Sequence, residues 1–394
     1  MSLFRRKKPV FQSHRRLKSG SSGQLEHLVI FLGHHKVGST SLQDYLARNA
    51  FNHARQGVLY PFVDFEGAAF FAAAGCGTPA PDKLPLNIRE PHNALAFAML
   101  ADLKDRAIPE FHRSLPSLDQ MHHALTQQIK QLSPHTVVLA SEVFANFGAA
   151  GPEFAQDLSE RFQAKSVTLY ACFRPIEPYL ISWHGQRLKF GHKIAPLRDD
   201  AVTAYSESIH FDYRKVLNGW QKAFPNAKVV LRNYSEVNQA GGLVADFFAQ
   251  SQLPAVSELS QKRLNRSLHP ALFEILRRAI FELEPQMVAP LRKGLVQLTR
   301  RLELPPPREI EMLGPVQRQR VLGEFETIDV ELGRLVGRDR FFGEAPLGSP
   351  PVSEHEANRL ALASISQNLD VWDQSDIKDF LTSLCLEFDP KADG

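Results

Sequence analysis

Cysteine is scarce in this sequence: Cys76, Cys172 and Cys385 are the only three in 394 residues, and their wide separation fits neither a disulfide framework nor a metal-ligand spacing. A reducing compartment is the simpler inference. Also missing is any apolar run approaching the roughly 18 to 20 residues needed to span a bilayer. The basic N-terminus is not followed by a hydrophobic segment, which argues against a secretory signal, and a cytoplasmic location is expected. Acids are absent from residues 1–24, which hold seven of the basic side chains and the tract Ser19-Gly-Ser-Ser-Gly23. Such a composition cannot bury enough apolar surface to offset ordering entropy, so a disordered basic arm is expected over 1–24. That arm is either a solvated tail or a weak contact with an anionic membrane surface, at about 1 kcal/mol per basic residue. The whole chain carries +3, so the remainder is left at about −4. No nucleic-acid partner is expected, and no internal repeat is evident. With 43% hydrophobic residues the chain can build the core of one large or two modest domains.

What is present is a stretch around which the chain is organised, Leu28-Val-Ile-Phe-Leu-Gly-His-His-Lys-Val-Gly-Ser-Thr-Ser-Leu-Gln43. An apolar, largely β-branched run enters a loop with two glycines and one lysine, then three hydroxyl residues and a helical pattern to about residue 53. The pattern predicts strand, anion-binding loop, helix. Glycines 33 and 38 allow close backbone approach to an anion, and the first-turn N–H groups and the helix dipole favour negative charge there. A nucleotide triphosphate loop places lysine directly after its second glycine. Here Ser39 occupies that position and Lys36 lies inside the loop.

Two further strands end in chemistry. His135-Thr-Val-Val-Leu-Ala-Ser-Glu142 is an apolar run with a polar pair at its tip, the signature of a buried parallel strand whose carboxyl end reaches a ligand crevice. Ser166–Phe173 is the next, followed by Arg174-Pro-Ile-Glu-Pro-Tyr-Leu-Ile-Ser-Trp-His-Gly-Gln186. A strand-end arginine offers a bidentate fork to phosphate, and a serine on the next helix adds a hydroxyl from the other side.

The segment His35–Gln43 resembles the 5′-phosphosulfate loop of the sulfotransferases that use 3′-phosphoadenosine 5′-phosphosulfate (PAPS), in their bacterial and carbohydrate branches, departing from it at Val37, where that family has threonine. Arg174 and Ser182 match the family's 3′-phosphate motif in separation, and Ser-Trp-x-x-Gln at 182–186 is also similar. The resemblance covers about 25–343 and implies a three-layer α/β P-loop-type fold with a central, mainly parallel sheet flanked by helices. It implies in-line sulfuryl transfer from PAPS, as co-substrate and without a metal, to a hydroxyl or amine of a carbohydrate or small metabolite. Lys36, Val37, Gly38, Ser39, Thr40 and Ser41 would hold the 5′ end of the donor, Arg174 and Ser182 its 3′-phosphate, and Arg263 or Arg266, in the family-like Lys262–Leu268, could join them. Lys36 and Glu142 are the foremost catalytic candidates, with His35 and His92 as weaker ones, neutral histidine being a competent base near pH 7. For His92, at the start of a helix opening with Pro91, a locally hydrogen-bonded structural role is the competing reading.

Elsewhere a short strand is expected at 57–61, loop and short helix over the acceptor side at 62–92, a helix at 117–132, a strand at 228–234 and a helix near 241–249. The tripeptide Arg292-Lys-Gly294 matches a motif of the steroid and phenol branch, but its flanks predict an ordinary amphipathic helix. Beyond residue 343, ten acids face three bases across two short amphipathic patterns, which fits either a solvated helical appendage at 344–394 or a segment docked on the core or a partner. Two other readings remain open: a P-loop kinase or nucleoside triphosphatase, and a binding protein that keeps the fold without the chemistry. The acceptor and the oligomeric state are not legible.

Overall fold

The computed structural model describes residues 25–104, 107–112, 114–201, 203–257, 268–299, 301–343 and 350–388. Five strands form an all-parallel sheet: β1 (Leu25–Phe31), β2 (Val58–Leu59), β3 (Thr136–Ala140), β4 (Ala164–Phe173) and β5 (Lys228–Asn233), in the order β2-β3-β1-β4-β5. Alternation along each strand splits the core in two, because successive side chains point to opposite faces. Leu28 and Ile30 of β1, Val137 and Leu139 of β3 and Leu169, Ala171 and Phe173 of β4 pack on one side with the Pro91–Lys104, Ile176–Lys189 and Arg214–Ala223 helices. Val29, Phe31, Val138, Ala140, Tyr170 and Cys172 pack on the other, against α1 (Ser39–Arg48) and the Leu243–Gln250 helix. Helices therefore cover both faces of the sheet, giving three α/β/α layers.

β1 lies at the centre, with Phe31 paired to Ala140 of β3 on one side and Tyr170 of β4 on the other. The connection after β1 leaves over one face through α1, while the connection after β4 leaves over the other through Ile176–Lys189. Loops that diverge in this way open a crevice at the carboxyl edge of the sheet, the place where ligands settle in such folds.

Several sequence expectations hold closely. A helix starts at Pro91, and Leu118–Leu132 is opened by a Ser117–Gln120 capping box. Arg292-Lys-Gly294 lies within the Pro285–Leu298 helix, where Gly294 faces Trp372 so tightly that a Cβ would come 2.2 Å from the indole Nε1. The 62–92 stretch holds more helix than expected: Phe65–Gly75 forms three turns, opened by Asp64 accepting from the Gly67 N–H at 2.8 Å. Its phenylalanine and alanine content hides the period, since Phe65 is 86% exposed while Gly67 is buried.

The acidic C-terminal segment is docked rather than solvated. Its two helices, Glu354–Ser366 and Ser375–Glu387, bury Ala357, Leu362, Ile365, Ile377, Leu381 and Leu384, and the connection between them buries Trp372, in the same core that packs β1. A short parallel pair, Ile310–Glu311 with Val352–Ser353, stitches it down, and Arg198 pairs with the buried Glu354 at 2.7 Å. Asp370, Asp373, Asp376 and Asp379 all lie on the outer surface. Among the described residues no helix is long and apolar enough to cross a membrane.

Candidate functional site

The loop between β1 and α1 is held in an unusual shape by its own backbone. Leu32 N–H donates to Tyr170 O at 2.9 Å and Cys172 N–H to Gly33 O at 3.0 Å, so pairing with β4 continues past the end of β1. Gly33 then turns at φ +88°, and a Cβ there would lie 3.0 Å from the Glu142 Cα, which presses the loop against the end of β3. Lys36 adopts φ 65°, uncommon for a residue with a Cβ, and Gly38 caps α1 at φ 94°. Glycine supplies no capping side chain and α1 has no acid in its first turn, so its N-terminal donors and dipole keep their pull on an anion. Val37 turns its side chain into the core and is fully buried, so at this position the loop can offer a ligand only backbone. The hydroxyl that the resemblance finds missing is replaced here by a packing contact.

Three elements bring groups to this loop. From the Ile176–Lys189 helix, Gln186 Oε1 accepts from Lys36 Nζ at 3.3 Å, and Ser182 stands one turn earlier, half-buried. From the end of β4, Arg174 Nη1 donates to the Lys36 carbonyl at 3.3 Å, and its guanidinium lies 4.9 Å from the Tyr234 ring. Arg174 Nε is buried with no hydrogen-bond partner among the described residues, a donor left available. From the end of β3, Glu142 sits between two loop residues: Oε2 accepts from the Ser39 hydroxyl, and Oε1 lies 3.9 Å from His35 Nδ1. Thr40 and Ser41 occupy the next two positions of α1, half-buried.

The electrostatics follow first from burial and then from the neighbouring charges. Burial, with Lys189 nearby, lowers the Lys36 pKa to about 8, against the opposing pull of Glu142. Burial also lowers the pKa of His35, Glu142 again opposing, which favours the neutral ring. Arg292 of the Pro285–Leu298 helix donates to the Lys189 carbonyl, so that a further cation stands at the end of the site helix.

His92 is placed in the scaffold. Fully buried, it accepts the Ala140 N–H on Nδ1 at 3.0 Å and meets Tyr60 edge-on at 4.7 Å, and burial lowers its pKa to about 3. The bond through Nδ1 anchors the last residue of β3, a structural role. Beside it Asn93 accepts from Ser141 at 2.6 Å and from Gln43 at 3.0 Å, tying the base of α1 to the same strand end.

The sequence reading missed an aromatic and imidazole cluster behind the loop. The His34 ring stacks on Tyr179 at 4.3 Å, Tyr179 Oη lies 2.7 Å from His210 Nδ1, and His210 stacks on Trp183 at 3.9 Å. His35 joins it, 5.0 Å from Trp183. The only signal available was spacing: Tyr179, Ser182, Trp183 and Gln186 recur at helical intervals and so share one face. Arg263 and Arg266 lie outside the described residues.

Among the described residues no three His, Cys, Asp or Glu side chains converge as metal ligands. No family model, curated protein or solved structure matches the chain.

Proposed function

We propose that this chain is a sulfotransferase that moves a sulfuryl group from PAPS to a hydroxyl or amine of a carbohydrate or small-metabolite acceptor, acting in the cytoplasm. The observation that carries the reading is Arg174 resting on the Lys36 carbonyl, which joins two cationic anion sites across the β1–β4 crevice. A donor bearing one phosphate at each end of a nucleoside suits that pair. The N–H groups of α1 with Ser39, Thr40 and Ser41 take the 5′-phosphate, and Arg174 with Ser182 takes the 3′-phosphate. The unpartnered Nε of Arg174 fits that assignment.

In the displacement the acceptor oxygen or nitrogen bonds to sulfur as the bond from sulfur to the bridging oxygen breaks. The electron pair passes to that oxygen, which leaves on 3′,5′-adenosine bisphosphate. Lys36, inside the loop, neutralises the charge growing there. The acceptor proton goes to Glu142 or to neutral His35, which stand together at the strand end.

Calorimetric titration tests the proposal directly. 3′,5′-Adenosine bisphosphate binds without Mg²⁺, and Arg174→Ala weakens it by about tenfold or more, the size of a lost charge-assisted contact. Lys36→Ala abolishes turnover of PAPS while binding of the bisphosphate is weakened but persists. Mg²⁺-dependent ATP binding in place of this pattern overturns the reading in favour of a kinase or triphosphatase.

A further inference from the structure

Ser39 has two claims on one hydroxyl. As the first residue of α1 it belongs to the anion-binding turn, yet its side chain is buried and donates to Glu142 Oε2 across the crevice. A hydroxyl carries one proton and serves one acceptor at a time. A phosphate at the start of α1 and the Glu142 carboxylate therefore compete for it. Neither side can easily drift apart to share: the close approach of Gly33 to the Glu142 backbone fixes the end of β3 against the loop.

We infer that Ser39 couples donor binding to the state of the base. Before an anion binds, Ser39 holds Glu142. When phosphate takes the hydroxyl, Oε2 is left unshared and free to accept the acceptor's proton. Ser39 is thus a positioning residue that holds the Glu142 carboxylate turned toward the loop through Oε2 and lets it swing toward the acceptor once the phosphate is in place. The inference rests on the reading of the loop as a phosphate site and of Glu142 as base.

A double-mutant cycle on Ser39 and Glu142 reads the coupling without knowledge of the acceptor. The full chain and its Ser39→Ala, Glu142→Ala and double variants are titrated with 3′,5′-adenosine bisphosphate and, separately, with inorganic phosphate. Removing Glu142 tightens binding by roughly tenfold when Ser39 is present, because the hydroxyl no longer has to be withdrawn from a charged partner. In the Ser39→Ala background the same change gains less than about threefold, from relief of charge repulsion alone. Ser39→Thr, which keeps a hydroxyl, retains the large gain, and Ser39→Gly supplies a second hydroxyl-free background if the alanine variant does not fold. Equal gains with and without the hydroxyl overturn the coupling. Coupling seen with phosphate but no binding of the bisphosphate overturns the donor assignment and leaves the coupling standing. Failure to bind either overturns both.

Discussion

Lys36 combines a left-handed backbone with an ammonium withdrawn from water, and the anion proposed for the start of α1 would meet that charge. With its pKa lowered to about 8, the free lysine loses its proton as pH rises through that value, and an anion that needs the charge must draw the proton back. Affinity for 3′,5′-adenosine bisphosphate is therefore expected to fall above pH 8, with proton uptake on binding that calorimetry in buffers of different ionisation enthalpy detects. Lys36→Arg keeps its charge and flattens the profile; a pH-independent affinity between 7 and 10 in the native chain argues against the role. Gly33 invites a second test. Gly33→Ala is expected to cost about 1 to 3 kcal/mol in denaturant unfolding, since a left-handed φ and contact with the Glu142 backbone both oppose a Cβ. Unchanged stability would show that the loop yields more than its packing suggests. The glycines, Lys36, Glu142 and Arg174 were legible because each follows a strand end at a telling position. Tyr179 and His210 were not, because their meeting depends on the crossing of segments 31 residues apart in the chain.

At the scale of the element, the Ile176–Lys189 helix serves core and site with different faces. Ile176, Leu180 and Leu188 are buried in the core, while Tyr179, Ser182, Trp183 and Gln186 share the face toward the loop. Its pattern in sequence showed a helix, and only the register against β1 shows which side matters. The C-terminal helices show the opposite limit. Their amphipathic pattern was visible, but an excess of acids reads equally as a solvated appendage, and docking depends on a surface supplied by distant helices. Trp372 is the pin of that contact, 2% exposed over Gly294. Trp372→Ala is expected to destabilise the protein by about 3 to 5 kcal/mol, read as a lowered unfolding midpoint. A loss under 1 kcal/mol would mean that the segment contributes little to the fold.

For the whole molecule, the three tryptophans report from separate places: Trp183 at the site, Trp220 in the core against Phe144 and Phe147, Trp372 in the docked segment. Because one continuous core joins these regions, each variant that keeps a single tryptophan is expected to show a fluorescence midpoint in denaturant that coincides with its own far-ultraviolet circular dichroism midpoint. A separate, earlier transition for Trp372 would show an independent unit. The layered fold itself was readable from apolar runs alternating with helical patterns, each strand announcing itself locally. The short pairing of Ile310–Glu311 with Val352–Ser353 was not, since two residues carry no period.

The central place of β1 also bears on how the protein is made. The strand synthesised first among the described elements is flanked by β3 and β4, so Leu28–Phe31 emerges from the ribosome with both edges bare until Thr136–Ala140 has followed and one edge bare until Ala164–Phe173 has. At ordinary translation speeds that interval is on the order of ten seconds. During it an uncharged, β-prone segment is exposed to neighbouring nascent chains, and soluble yield becomes a race between the arrival of β4 and edge-to-edge capture. Slower growth at low temperature and chaperone cover of the first strand are the conditions that favour the native outcome.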